Sequence, residues 1–324
     1  MALAMADKVD EAASWSNYWE TQRTQAFDPQ DGVDERIETL WTDFFSNCPD
    51  GSALLDIGCG NGALARLLNG VAERKQESYA YTGVDQASIR PISGGSLSEI
   101  ETTFVADKPI ESAQFGPQSF DRVVSQFGFE YCQPNITSEL IMRWLKPGGK
   151  ALFLVHTEES QISKEVRYTL EQMRMAEESA LLVVIYRLLE RLDQLSIKGQ
   201  KPDDQCADLR QLINTTCDEL ETVAQDLPDP LFLKSFVSFS LGFFSQERSH
   251  IPPSVKLDNL TLFSNQLLQH RARSLQQAEA ALDDEALSKL RIDQQRQGLI
   301  WQDDHAIKYG ELNIGNAIFI SKRE

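Results

Sequence analysis

The residues best placed to do chemistry stand at the ends of short apolar runs. In Leu54-Leu55-Asp56-Ile57-Gly58-Cys59-Gly60-Asn61-Gly62, an apolar strand carries an acid, passes through three alternating glycines and opens onto the helical spacing Leu64, Leu67, Leu68. Glycine permits a sharp turn and lets a ligand approach bare backbone. The helix that follows presents unpaired N–H groups at its start, which suit an anionic group. A second run, Tyr81-Thr82-Gly83-Val84, ends in Asp85 and Gln86. A carboxylate there can accept from both hydroxyls of a ribose, and its alternative reading is the cap of the next helix. A third run, Thr103-Phe104-Val105-Ala106, ends in Asp107, either an acceptor for an adenine amino group or an exposed loop acid.

These residues point to a nucleoside cofactor before they choose one. Gly58-x-Gly60-x-x-Ala63 also satisfies the dinucleotide fingerprint, so a nicotinamide enzyme stays open at this level. Gly62, and the acid two residues ahead of Gly58, favour S-adenosylmethionine, whose carboxylate would meet the helix start.

The elements that must hold these groups are legible in outline. Apolar runs at Ala53–Ile57, Tyr79–Val84, Thr103–Val105, Arg122–Ser125 and Ala151–Val155 alternate with helical patterns, which indicates βαβ units and a parallel sheet. Two helical segments precede them. One carries Trp15, Tyr18 and Trp19, the other Ile37, Leu40, Trp41 and Phe44. From about Ile162 to Leu287 the pattern is purely helical, with four or so helices. Its stripes include Leu181, Val184, Leu188 and Leu192, then Cys206, Leu209, Ile213 and Leu220 with Asp203 or Asp204 as the cap, then a Phe-rich piece and a last long helix over roughly 257–287. Strand texture returns at Leu299–Tyr309 and Ala317–Ile320. The expected divisions are residues 1–50 as an N-terminal helical cap, 51–160 as the cofactor-binding α/β core, 161–290 as a helical insertion and 291–324 as a closing hairpin.

In order along the chain, LLDIGCGNG, TGVDQ, FVAD, FDRVVSQFGFEY and LKPGGKALFLVHT resemble the successive motifs of class I S-adenosylmethionine-dependent methyltransferases. The resemblance spans about Ser52 to Thr157. Its most discriminating piece is the turn Leu145-Lys146-Pro147-Gly148-Gly149-Lys150. It implies an α/β fold with a doubly wound, mostly parallel seven-stranded sheet, N-terminal helices and a large helical insertion before the final β-hairpin. It implies S-adenosyl-L-methionine as cofactor. Carried over by position, Asp56, Gly58 and Gly60 would line the methionine and ribose side, Asp85 would bind the ribose and Gln86 would lie beside the adenine. Asp107 would accept from the adenine amino group, Ser125 and Gln126 would flank the cofactor, and Arg23 would pair with its carboxylate.

Methyl transfer from a sulfonium is an in-line displacement, so the protein must mainly hold a nucleophile near the methyl and exclude water. A base is needed only for a nucleophile that begins protonated. Candidate substrate-side groups are Glu130 and Tyr131 past the fourth strand, His156 at the end of the fifth and His305 in the late strands, because strand ends face the crevice of such sheets. Each has a bland reading as a cap, a buried structural histidine or an exposed edge residue. Ser125-Gln126-Phe127-Gly128 lacks the Asn/Asp-Pro-Pro-aromatic sequence that amide and nucleobase amine methylation uses in this family. A net charge of −18 adds a penalty for phosphate backbones and anionic membranes. No dense basic cluster is evident in the sequence.

The four histidines are far apart, and no metal set is evident. Five scattered cysteines with no CxxC pair indicate a reducing, cytoplasmic setting. Charged residues at Asp7, Lys8, Asp10 and Glu11 stand where a signal peptide would be apolar. The expected function is methylation of an O or N atom of a small molecule, with no nucleic-acid or membrane partner. A homodimer through the insertion is a candidate arrangement. The alternatives are a protein or peptide acceptor, an NAD(P)-dependent oxidoreductase, and an adenosylmethionine-binding module without catalysis.

Overall fold

A computed structural model describes residues 11–20, 33–91 and 97–324. They divide into two compact units. One comprises the described residues up to 164 with 276–324, the other 165–275.

The first unit is built on a seven-stranded sheet in the order β3-β2-β1-β4-β5-β7-β6. Its strands are β1 (Ala53–Ile57), β2 (Tyr79–Val84), β3 (Ile100–Val105), β4 (Phe120–Gln126), β5 (Leu145–Val155), β6 (Leu299–Tyr309) and β7 (Leu312–Lys322). The first five are parallel, and β7 runs antiparallel to both β5 and β6. The strand order reverses between β1 and β4, and the carboxyl ends of those two strands frame the binding crevice of such sheets.

The near-continuous apolar strands follow from burial on both faces. Alternation sends Leu54 of β1 and Leu152 and Leu154 of β5 into one core, with Trp41, Phe45, Leu64 and Leu68. It sends Leu55, Ile57, Phe153 and Val155 into a second core, with Trp144, Phe129 and Ile318. The helices named in the first core are α2 (Val33–Ser46) and α3 (Ala63–Lys75), while α4 (Pro134–Trp144) and α10 (Asp284–Arg296) contribute to the second. A further short helix, α1 (Glu11–Trp19), precedes them.

The helical unit contains α6 (Leu181–Ile197), α7 (Asp204–Gln225) and α8 (Leu231–Gly242), with most of α5 (Gln161–Glu178) and α9 (Pro253–Ala280). Its core joins the stripe Leu181, Ile185, Leu188 of α6 to Ile213, Cys217, Leu220 of α7 and Leu233, Phe236, Val237 of α8. Asp203 is the residue that caps α7, accepting from the Cys206 N–H at 3.2 Å. No described helix is long and apolar enough to cross a membrane.

Two details depart from the pattern read in the sequence. Five helices, α5–α9, occupy the stretch expected to hold about four, and the expected single helix over 257–287 is two. The break at 281–283 has a physical cause. Asp283 caps α10 by accepting from the Ala286 N–H at 2.7 Å. Leu282 pairs with the chain beyond β5, donating to the His156 carbonyl at 2.9 Å and accepting from the Glu158 N–H at 3.1 Å. Residues 276–290, read with the insertion in the sequence, fall within the sheet unit.

Candidate functional site

A pocket opens at the carboxyl ends of β1, β2 and β4, entirely within the sheet unit. Its floor is the glycine loop from Asp56 to Gly60. Gly58 and Gly60 both hold left-handed backbone, at φ 70° and 49°. A Cβ on Gly58 would stand 2.9 Å from the Cα of Gly128, and one on Gly60 would stand 2.7 Å from the Trp19 ring. Glycine is therefore required twice, for the turn and for the close approach of its neighbours.

Asp85, at the end of β2, ties this loop to the next. One carboxylate oxygen accepts from the Gly60 N–H at 2.8 Å and the other from the Ala87 N–H at 2.9 Å. Burial raises the carboxyl above the usual range, against those two donors, which lower it. Gln86 also lines the pocket. Asp56 is 1% exposed and accepts from the Tyr81 hydroxyl, while its Oδ1 has no partner. Burial, with the nearby Asp85 charge adding to it, pushes its carboxyl up to about 8. Gln126, at the end of β4, also lines the pocket and has an unpartnered buried oxygen, Oε1.

The wall opposite the glycine loop includes Lys108, Ile110 and Glu111, from the segment after β3, and Tyr131 and Cys132 after β4. The aromatic α1 supplies Trp15 and Trp19. Asn61 fastens that helix to the loop, donating to the Trp19 carbonyl at 3.0 Å and accepting from the Arg90 N–H at 2.7 Å. Trp15 donates from Nε1 to Gln276 at 2.8 Å and meets Tyr131 edge-on at 5.9 Å. The i,i+4 spacing of Trp15 and Trp19 predicts a helix with an aromatic face, but not that this face covers a strand end. Lys108 and Glu111 carried no motif at all.

The structure distributes the other expected residues differently. Ser125 is fully buried and does not line the pocket; its hydroxyl donates to the Ile57 carbonyl at 2.6 Å, stitching β4 to β1. Asp107 is exposed, at left-handed φ 55°, and its carboxylate accepts from the Ser88 hydroxyl outside the pocket lining. Arg23 lies outside the described residues.

Glu130 and His156 sit behind the wall rather than in it. Glu130 accepts from the His156 N–H at 2.7 Å, and burial pushes its carboxyl up to about 8. The His156 ring stacks on Phe127 at 4.2 Å with an interplanar angle of 10°. Its Nε2 faces the Gln277 amide at 3.3 Å, and burial lowers its pKa to about 3, so the ring stays neutral. His305 is on β6, the edge strand, half exposed and 3.0 Å from Asp303, away from the pocket lining. A strand-end rule fails for it because His305 lies within β6, at the edge of the sheet far from the β1–β4 crevice.

The lining carries three carboxyl groups, Asp56, Asp85 and Glu111, and one lysine, Lys108. That balance favours a ligand with positive charge over a pyrophosphate. S-adenosylmethionine, with a sulfonium and an ammonium against one carboxylate, fits it. The unpartnered Asp56 Oδ1 and Gln126 Oε1 are acceptors waiting for donors of the kind its ammonium and hydroxyls provide. Among the described residues, no group of three or more His, Cys, Asp or Glu side chains is arranged to hold a metal ion.

Residues 55–153 match the family model described as a methyltransferase domain. Similar solved structures include Haemonchus contortus phosphoethanolamine N-methyltransferase 2 in complex with S-adenosyl-L-methionine, at 15% identity over 98% of this chain and 59% of that one, with TM-score 0.35. Burkholderia thailandensis 1,6-didemethyltoxoflavin-N1-methyltransferase is 14% identical over 45% of this chain and 61% of that one, TM-score 0.34. Geranyl diphosphate C-methyltransferase from Streptomyces coelicolor is 13% identical over 46% and 66%, TM-score 0.31. The chain spans less than two thirds of the length of each, and 56%, 57% and 33% of three further structures. At these identities and scores the likeness carries nothing about substrate. No curated protein matches the chain. The match to a methyltransferase domain over residues 55–153 falls on the stretch whose motifs resemble the class I S-adenosylmethionine-dependent type.

Proposed function

We propose that the protein transfers a methyl group from S-adenosylmethionine to an O or N atom of a small molecule in a reducing, cytoplasmic setting. The observation that carries this reading is the glycine cradle of Gly58 and Gly60 closed by the buried acids Asp56 and Asp85, inside a domain of methyltransferase type. When bound, the cofactor supplies a methyl on a sulfonium, and the acceptor's lone pair forms the new bond as the C–S electrons return to sulfur.

The chain's own residues bind, orient and shield. Asp85 offers its carboxylate to the ribose hydroxyls while keeping the Gly60 and Ala87 N–H groups satisfied. Asp56 and Gln126 take the ammonium end on their unpartnered oxygens, and Gln86 lies beside the adenine. The acids of the lining stabilise the cationic ligand once its charge draws the raised Asp56 carboxyl into the ionised form. Trp15 and Trp19 form an apolar cover that limits water, and water exclusion strengthens the electrostatic contacts beneath it. An aromatic cover over a pocket suits a small acceptor better than an extended chain. Five free cysteines, four of them buried, accord with the reducing setting.

The test is calorimetric titration of the full chain with S-adenosylmethionine, S-adenosylhomocysteine and NADH in parallel. Both adenosyl compounds should bind in the micromolar range, and Asp85→Ala should weaken that binding at least about tenfold, the effect of losing a charge-assisted hydrogen-bond acceptor. Binding of NADH alone, or of none of the three, would overturn the reading. Screening acceptors with methyl-labelled cofactor then tests the small-molecule part, and labelling of polypeptides alone would replace it.

A further inference from the structure

The protein has 49 acidic residues against 31 Lys and Arg, and the helical unit shares that acid excess, yet it holds one local group of cations. Arg210 of α7, Arg248 in the short turn after α8 and Lys256 in the first turn of α9 all belong to this unit. The Arg210 guanidinium carbon lies 4.3 Å from the centroid of the Phe244 ring, a cation–π contact. Arg248 Nη1 stands beside Gly242, 3.8 Å from where a side-chain Cβ would be. Both guanidiniums thus converge on the 242–244 end of α8.

Lys256 is only 9% exposed, and none of the three cations makes an ion pair among the described residues. Burial holds the Lys256 ammonium below its ordinary range, and the charges of Arg248 and Arg210 lower it further. Like charges brought together without a carboxylate repel one another, and the repulsion is relieved when an anion arrives. The start of α9, a helix of 28 residues, adds its dipole to the same end.

We infer that Arg210, Arg248 and Lys256 form a binding site for a phosphate group carried by a small soluble ester. A planar guanidinium offers paired donors matched to phosphate oxygens, and a lysine adds a mobile point charge. Three cations suit a dianion better than a monocarboxylate. The inference rests on the helical unit alone and stands whether or not the pocket of the sheet unit binds an adenosyl compound.

The experiment is calorimetric titration of the full chain with inorganic phosphate and with glycerol 3-phosphate, at constant ionic strength set with chloride. Co-sedimentation with phosphatidylcholine vesicles, with and without phosphatidic acid, runs alongside. Saturable binding of the soluble phosphates, weakened at least tenfold in Arg248→Gln and in Lys256→Gln, is the expected result. Arg248 is exposed, so its variant keeps the test open should Lys256→Gln fail to fold. Without phosphate, the melting midpoint of Arg248→Gln should equal or exceed that of the parent, because a repulsion has been removed. A lower midpoint would mean that Arg248 is neutralised by a carboxylate, and would overturn the site. So would an absence of saturable binding, binding unchanged in both variants, or capture by phosphatidic acid vesicles alone.

Discussion

The pocket of the sheet unit and the basic cluster of the helical unit gather charge of opposite sign by different means. In the pocket, Asp56 and Asp85 are held on strand ends, and Asp85 is satisfied by the backbone N–H groups of Gly60 and Ala87. In the helical unit, Arg210, Arg248 and Lys256 come from three separate elements and have no ion-pair partner among the described residues. A site tied into its own backbone is rigid and announces itself as a motif. A site assembled by helix packing leaves no spacing to read. The same contrast sets ligand preference, cationic in the first region and anionic in the second.

The strongest way to break the comparison is Gly58→Ala. The new Cβ would meet Gly128 backbone at 2.9 Å in left-handed conformation, and neither partner can yield by rotating a side chain. Adenosyl binding should disappear and stability should fall by about 3 kcal/mol. Phosphate binding by the helical unit should survive at temperatures where the variant is folded. Calorimetry and thermal melting measure both, and retention of adenosyl binding would show that the cradle is not the site.

Proton linkage sharpens the contrast at intermediate magnitude. A cationic ligand lowers the Asp56 carboxyl from its raised value of about 8, so adenosylmethionine binding near pH 7.5 should release up to about one proton. A phosphate ligand raises the lowered Lys256 ammonium, so its binding at alkaline pH should take up protons. Titrations in two buffers of different ionisation heat read the sign directly. The same sign for both ligands would contradict the assignment of opposite charge.

The smallest effect is expected at His305. On the exposed edge strand, His305→Gln should leave adenosyl binding and activity unchanged and shift stability by less than about 0.5 kcal/mol. Loss of activity in this variant, measured with labelled cofactor, would return His305 to the chemistry from which its position removes it.

The sequence alone determined the sheet, the glycine loop, the strand-end acids Asp56 and Asp85 and the resemblance of this stretch to methyltransferase domains. These are local matters. Period-2 alternation fixes which strand residues face each core, and a left-handed turn with no room for a Cβ admits only glycine. What the neighbours of a side chain are was decided by tertiary structure. It buried Ser125 against the Ile57 carbonyl, turned Asp107 out to Ser88 and packed His156 on Phe127 as a neutral ring. It broke the expected 257–287 helix at Asp283, because a cap and a pairing with the end of β5 were both on offer there. It laid Trp15 and Trp19 over the pocket and brought Arg210, Arg248 and Lys256 to one end of α8 and α9. Residue type and spacing encode backbone conformation within a few turns, while burial, pKa and partnership depend on groups far away in the chain that only packing brings near.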